Sequence, residues 1–170
     1  MPAILGGFPI IPIKRMLDMG VNVSLGCDGS ATNDTSNLLD SMRAAYAMQC
    51  YHCKERGEAV SSYDILKIAT VGGAKTLGRS DVGSLEEGKA ADLFMIKGDA
   101  LEFCGTEHDP KNLLARTGAG NTALTMINGK VVCKEGVLLG VDEAKLKAEG
   151  TRVYQDFLRR SCEGFSPRMV

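Results

Sequence analysis

Apolar positions along the first eighty residues fall into a helix, then a strand, then two helices. Between Pro9 and Gly20, Ile13, Met16 and Leu17 share one face while Lys14, Arg15 and Asp18 are polar, which predicts a helix stopped by Gly20. Val21 to Cys27 is a run of β-branched and small residues, which predicts a buried strand. Over residues 36–56, Leu38, Leu39, Met42, Ala45, Tyr46, Gln49 and Cys53 lie near one helical face, and Gly57 ends the run. A further helix starts at Ser61 or Ser62, with Asp64 in its first turn and Ile65, Leu66, Ile68, Ala69 and Leu77 apolar. Gly72-Gly73 weakens its middle by about 1 kcal/mol per glycine.

The pattern changes at Gly83. Short strands over Ala91–Lys97, Thr122–Asn128 and Lys130–Lys134 alternate with turn residues, and Asn128-Gly129 is a two-residue hairpin signal. Residues 98–121 form a polar, irregular connector. Asp142 to Arg160 predicts a helix with Ala144, Leu146, Val153, Phe157 and Leu158 apolar, interrupted at Gly150. Helix followed by buried strand is the rhythm of a parallel sheet or barrel. One strand cannot make such a sheet, so residues 1–80 read as the end of a larger α/β unit, 81–140 as a small β unit, and 141–170 as a C-terminal helix and tail.

Composition narrows the function classes. Of 170 residues, 44% are apolar and 24% charged, with 20 basic against 21 acidic side chains. That is the balance of a folded chain, and without a basic stripe it argues against nucleic-acid binding. No apolar run reaches the roughly 20 residues that cross a bilayer. The N-terminus lacks the basic start and cleavage site of a secretory signal, so the six cysteines are expected reduced and the location cytoplasmic. Cys27 and Cys133 lie in apolar strand segments and Cys50 on an apolar helix face, where cysteine acts as a small hydrophobe.

Four passages together resemble the metal-dependent amidohydrolase superfamily, in its chlorohydrolase and aminohydrolase branch. Pro12-Ile13-Lys14-Arg15-Met16-Leu17-Asp18-Met19-Gly20-Val21-Asn22-Val23-Ser24-Leu25-Gly26-Cys27-Asp28-Gly29-Ser30 is similar to the approach through the last barrel strand to its metal-site aspartate. Ala69-Thr70-Val71-Gly72-Gly73-Ala74-Lys75-Thr76-Leu77-Gly78 resembles the helix that follows. Gly83-Ser84-Leu85-Glu86-Glu87-Gly88-Lys89-Ala90-Ala91-Asp92-Leu93 resembles the return into a small β-sandwich, and Met126-Ile127-Asn128-Gly129-Lys130-Val131-Val132 its closing hairpin. The resemblance implies the C-terminal end of a (β/α)₈ barrel, namely strand eight and the helices after it, plus part of the sandwich and a C-terminal helix. A whole barrel takes about 250 residues, so the N-terminal portion of the barrel is the implied missing partner.

The resemblance also implies chemistry. A divalent metal, zinc or iron, activates water in the intact enzyme, and Asp28 matches the metal-site carboxylate that handles the proton. Read from the residues alone, Asp28 is a turn aspartate that caps the next helix, and the resemblance is what points to the catalytic role. Ser30, Asn33 and Asp34 either shape the pocket for a heterocyclic small-molecule substrate or cap the helix before Asn37. The histidines of the family pattern are absent: His52 lies in a helix and His108 in a polar loop. Cys50-Tyr51-His52-Cys53 lacks a second ligand pair for structural zinc and the strand-to-helix setting of a redox pair. This chain alone is therefore expected to hold no metal tightly and to be inactive. The competing expectation is a non-catalytic module that folds by homo-oligomeric association.

Overall fold

The computed structural model describes residues 7, 9–29, 35–52, 59–106, 109 and 114–162. Its contacts divide the chain into two units, Met1–Gly136 and Val137–Val170.

In the first unit, α1 (Ile13–Asp18) opens at Pro12. The expected helix from Pro9 is shortened because Pro12 biases Ile11 away from helical backbone. Gly20, at φ +75°, closes α1: its N–H donates to the Leu17 carbonyl and that of Val21 to the Met16 carbonyl. This double bond is the Schellman termination that glycine favours.

The strand expected at Val21–Cys27 is not formed. Residues 21–29 belong to no helix or strand, because a strand exists only by pairing and no described strand lies beside this one. Its apolar residues still find the core, since Val23 and Leu25 pack against it.

Next come α2 (Leu38–His52), α3 (Ser62–Ala69) and α4 (Val71–Thr76). Asn37 starts α2 by accepting the Leu39 N–H through Oδ1 at 3.1 Å. Residues 53–58, which held the expected end of that helix and Cys53, lie outside the described residues. Ser61 and Asp64 form a reciprocal capping box at the start of α3. The single helix expected after Ser61 is instead two. The break falls at Thr70, ahead of the glycines, where the Thr70 hydroxyl donates back to the Leu66 carbonyl at 2.8 Å.

The core is Ile13, Met42, Val60, Ile65, Ile68 and Leu114, with Leu17, Leu38, Leu39, Ala45 and Tyr46 packed around it. Leu114 comes from the segment read as a polar connector. Arg43 of α2 draws it in, donating through Nε to the Leu114 carbonyl at 3.0 Å and through Nη2 to the Thr117 carbonyl. Gln49 does similar work at the other end of the chain: its Oε1 accepts the Ile13 N–H at 3.1 Å and its Nε2 donates to the Ile11 carbonyl at 2.8 Å.

Strands β1 (Leu93–Ile96), β2 (Thr122–Ile127) and β3 (Lys130–Lys134) form an antiparallel sheet in that order. Leu93 faces Met126 and Ile127 faces Lys130. The β2–β3 turn has Asn128 at φ +48° and Gly129 at φ +75°, the paired positive angles of the hairpin turn whose twist suits the strands. The Asn128 N–H donates to Asp92 Oδ1 at 2.6 Å and that of Gly129 to the Ala91 carbonyl at 3.1 Å. Thus the Gly83–Leu93 passage and the closing hairpin meet.

The second unit holds β4 (Val137–Leu138) and α5 (Glu143–Cys162). Contrary to expectation, α5 runs unbroken through Gly150. A single interior glycine costs only about 1 kcal/mol, and ion pairs such as Arg152–Glu149 at 2.6 Å flank it. Among the described residues no helix is long and apolar enough to cross a membrane.

Candidate functional site

Asp28 stands at the end of the 21–28 segment, exposed, with its backbone at φ +65°. Left-handed backbone is rare for residues other than glycine, and aspartate tolerates it because its short side chain bonds locally. Here Oδ1 accepts the Gly29 N–H at 2.7 Å. One carboxylate oxygen is thus turned back on the loop. Ser30, Asn33 and Asp34, the other expected site residues, lie outside the described residues.

The segment reaches Asp28 from a fixed foot. Asn22 Nδ2 donates to the Gly72 carbonyl at 3.2 Å and to Thr76 Oγ1 at 3.0 Å, and the Thr76 hydroxyl donates to the same Gly72 carbonyl at 3.0 Å. A Cβ on Gly72 would lie 2.2 Å from the Val23 carbonyl oxygen. The segment backbone and α4 therefore touch where only glycine fits. Beside this contact an open groove of about 430 Å³ is lined by Leu17, Val21, Val23 and Val71, with Lys67 and Lys75 also in its walls. Asp28 is not among its lining residues.

The donors for a metal are incomplete among the described residues. Among the described residues no group of three or more His, Cys, Asp or Glu side chains could hold an ion. His52 is exposed and sets its ring edge-on to Tyr51, and His108 lies outside the described residues. One carboxylate does not make the three- or four-ligand set that zinc requires, so these residues alone do not fit a complete metal centre. Among the described residues, Cys27, Cys50, Cys104 and Cys133 are in no disulfide. Cys50 is exposed, not on the buried face of α2, which instead carries Ser41, Met42 and Gln49.

Sequence reasoning missed the Asn22 contact and misread Gly72 as a helix weakener. A lone amide among apolar strand residues, and a glycine on the apolar side of a helix, were the available signals.

The amidohydrolase family pattern matches residues 9–132, and the chain belongs to that family. It is 42% identical over 156 residues, 91% of its length, to the hydroxydechloroatrazine ethylaminohydrolase of Pseudomonas sp. strain ADP. It is 34% identical over 84% of its length to a 5-methylthioadenosine/S-adenosylhomocysteine deaminase of Pelotomaculum thermopropionicum. Its fold is similar to that of a mutant of the atrazine chlorohydrolase TrzN from Arthrobacter aurescens in complex with zinc and atraton, with TM-score 0.81 and 35% identity over 89% of this chain. An adenosine deaminase from Xanthomonas campestris with bound zinc gives TM-score 0.86 and 28% identity over 94% of this chain. The chain spans about a third of each relative: 32% and 33% of the two curated proteins and 34% and 36% of the two structures.

Proposed function

We propose that this chain is the C-terminal portion of a metal-dependent hydrolase that cleaves non-peptide C–N (or C–Cl) bonds of cyclic amidine or heteroaromatic substrates. The observation that carries the reading is Asp28, an exposed carboxylate held at positive φ at the end of the 21–28 segment, within a chain of this family. Unusual backbone held in place by its surroundings concentrates at functional sites.

In this reading Asp28 is both a metal ligand and the proton carrier. Its carboxylate takes the proton released as water adds to the electron-poor ring carbon. As the bond from that carbon to the exocyclic nitrogen breaks, that proton goes to the leaving amine, so the products are the ring hydroxyl compound and the free amine. When bound, a divalent metal, zinc or iron, would supply the water's acidity, with Asp28 as one of its ligands. Ser30, Asn33 and Asp34, which follow in the sequence, take part in substrate binding in this reading. The remaining barrel strands, their histidines and the rest of the sandwich come from an N-terminal portion, in a cytoplasmic enzyme. Alone, the 170-residue chain binds metal weakly and turns nothing over, because it brings one ligand.

Intact mass and metal content of the natural gene product test the reading. The expected result is a mass far above 18.1 kDa with about one metal per chain. It should release ethylamine from an N-ethylamino-substituted hydroxytriazine or ammonia from 5′-deoxyadenosine, and Asp28→Asn should remove that turnover. Turnover by the 170-residue chain alone would overturn it. A mass near 18.1 kDa without metal favours the second reading, a non-catalytic module that assembles with copies of itself. Supporting that alternative, residues 21–29 have no strand partner among the described residues, and α5 aligns Leu146, Val153, Phe157 and Leu158 on one side. Sedimentation as a monomer would exclude it.

A further inference from the structure

We infer that Asn22, Gly72 and Thr76 are positioning residues for Asp28, forming a clasp that fixes where the 21–28 segment sits against α4. The inference rests on the reading of Asp28 as the catalytic carboxylate.

Two observations converge on this contact. The Asn22 amide bridges the Gly72 carbonyl at 3.2 Å and the Thr76 hydroxyl at 3.0 Å, and that hydroxyl closes the triangle on the same carbonyl at 3.0 Å. Each member therefore orients the other two, so losing one side chain removes two of the three bonds and loosens the third. Second, the backbone of α4 meets that of the segment at Val23, where a Cβ on Gly72 would stand 2.2 Å from the carbonyl oxygen. Packing this close leaves no slack for the segment to slide along the helix. At the foot of the segment the Val21 N–H is held by the Met16 carbonyl at 2.9 Å. The clasp is the next polar tie along the chain, and only Gly26 and Cys27 separate the packed Leu25 from Asp28.

A carboxylate that must meet both a proton donor and a leaving group is sensitive to its position. A displacement of about 1 Å caused from a distance can cost up to a hundredfold in rate. In this reading the clasp residues hold neither substrate nor a reacting atom, so their loss should lower turnover more than it weakens binding.

The test uses the natural gene product, with ethylamine release from an N-ethylamino-substituted hydroxytriazine as the assay. Asn22→Ala and the isosteric Thr76→Val should each lower kcat about tenfold with KM changed less than about twofold. Thr76→Ser, which keeps the hydroxyl, should restore kcat to near the parent value. Amide exchange gives a second readout that does not need turnover. In Thr76→Val the Leu25–Cys27 amides should exchange at least about tenfold faster while Ile65 and Ile68 in α3 keep their rates. If Asn22→Ala does not fold, Thr76→Val alone decides. Parental kcat and exchange in Thr76→Val, alongside an inactive Asp28→Asn, would overturn the clasp and leave the catalytic reading standing. Parental kcat in Asp28→Asn would overturn both.

Discussion

Because Asp28 sits at φ +65°, substitutions there should rank in an unusual order. In helices and strands alanine is more stabilising than glycine by roughly 0.5–1 kcal/mol, since glycine has more freedom to lose. At left-handed backbone the Cβ of alanine meets the following carbonyl, at a cost of about 1–2 kcal/mol. The two effects oppose, and the steric one wins, so Asp28→Gly should exceed Asp28→Ala in stability by about 1 kcal/mol. Asp28→Asn should lie within about 0.5 kcal/mol of the parent, because asparagine tolerates this conformation and its amide oxygen can accept the Gly29 N–H that Oδ1 now holds at 2.7 Å. For a domain of this size 1 kcal/mol corresponds to roughly 2–4 °C in Tm, well resolved by circular dichroism melts of the three variants. All three should lack turnover in the natural gene product, so stability and activity separate at this residue. Asp28→Ala melting at or above Asp28→Gly would refute the reasoning, since it would mean that the loop does not hold Asp28 at positive φ.

Three further predictions concern the scaffold. Gln49→Ala should cost about 2 kcal/mol in urea unfolding, because it strips partners from the Ile13 N–H and the Ile11 carbonyl beside a buried helix. Ser61→Ala should cost about 1 kcal/mol at pH 7 by removing the α3 cap. Its pH dependence follows from Asp64: burial pushes that carboxyl up, but the Ser61 hydroxyl and amide, with Lys67 and Lys14, more than offset this and hold it below its ordinary value. A depressed carboxylate stabilises fully above its unfolded pKa of about 4, and the contribution is lost as pH falls through the lower folded value. The difference between parent and Ser61→Ala should therefore shrink in melts taken below about pH 4. Gly129→Ala should lower stability by about 1 kcal/mol, because Gly129 is at φ +75°, and amide exchange should quicken in β2 and β3 ahead of α3.

Much of this was readable where local physics decides. The Ser61 cap, the Asn128-Gly129 turn and the apolar face of α2 are short-range patterns, and the structure keeps them. Elsewhere the local pattern was insufficient. Val21–Cys27 has the composition of a strand, yet pairing is a property of neighbours, and none is described beside it. Leu114 was hidden in a polar stretch because its burial is secured by Arg43, 71 residues away. Gly72 read as a defect in a helix, since nothing in its immediate sequence reports that the Val23 carbonyl lies against it. Asp28 was found through resemblance, while its backbone angle, the feature that separates it from an ordinary turn aspartate, came only from the fold.

The ties made by α2 also set an order of assembly. Gln49 reaches back 36 and 38 residues, and Arg43 reaches forward 71 and 74. Contacts so distant along the chain reward it only after a large loop has closed, so they form late. The β2–β3 hairpin needs no such closure and can form in about 1–10 μs. Folding should thus begin in the sheet and finish around α2, and a ribosome must release Thr117 before the helix made seventy residues earlier can lock.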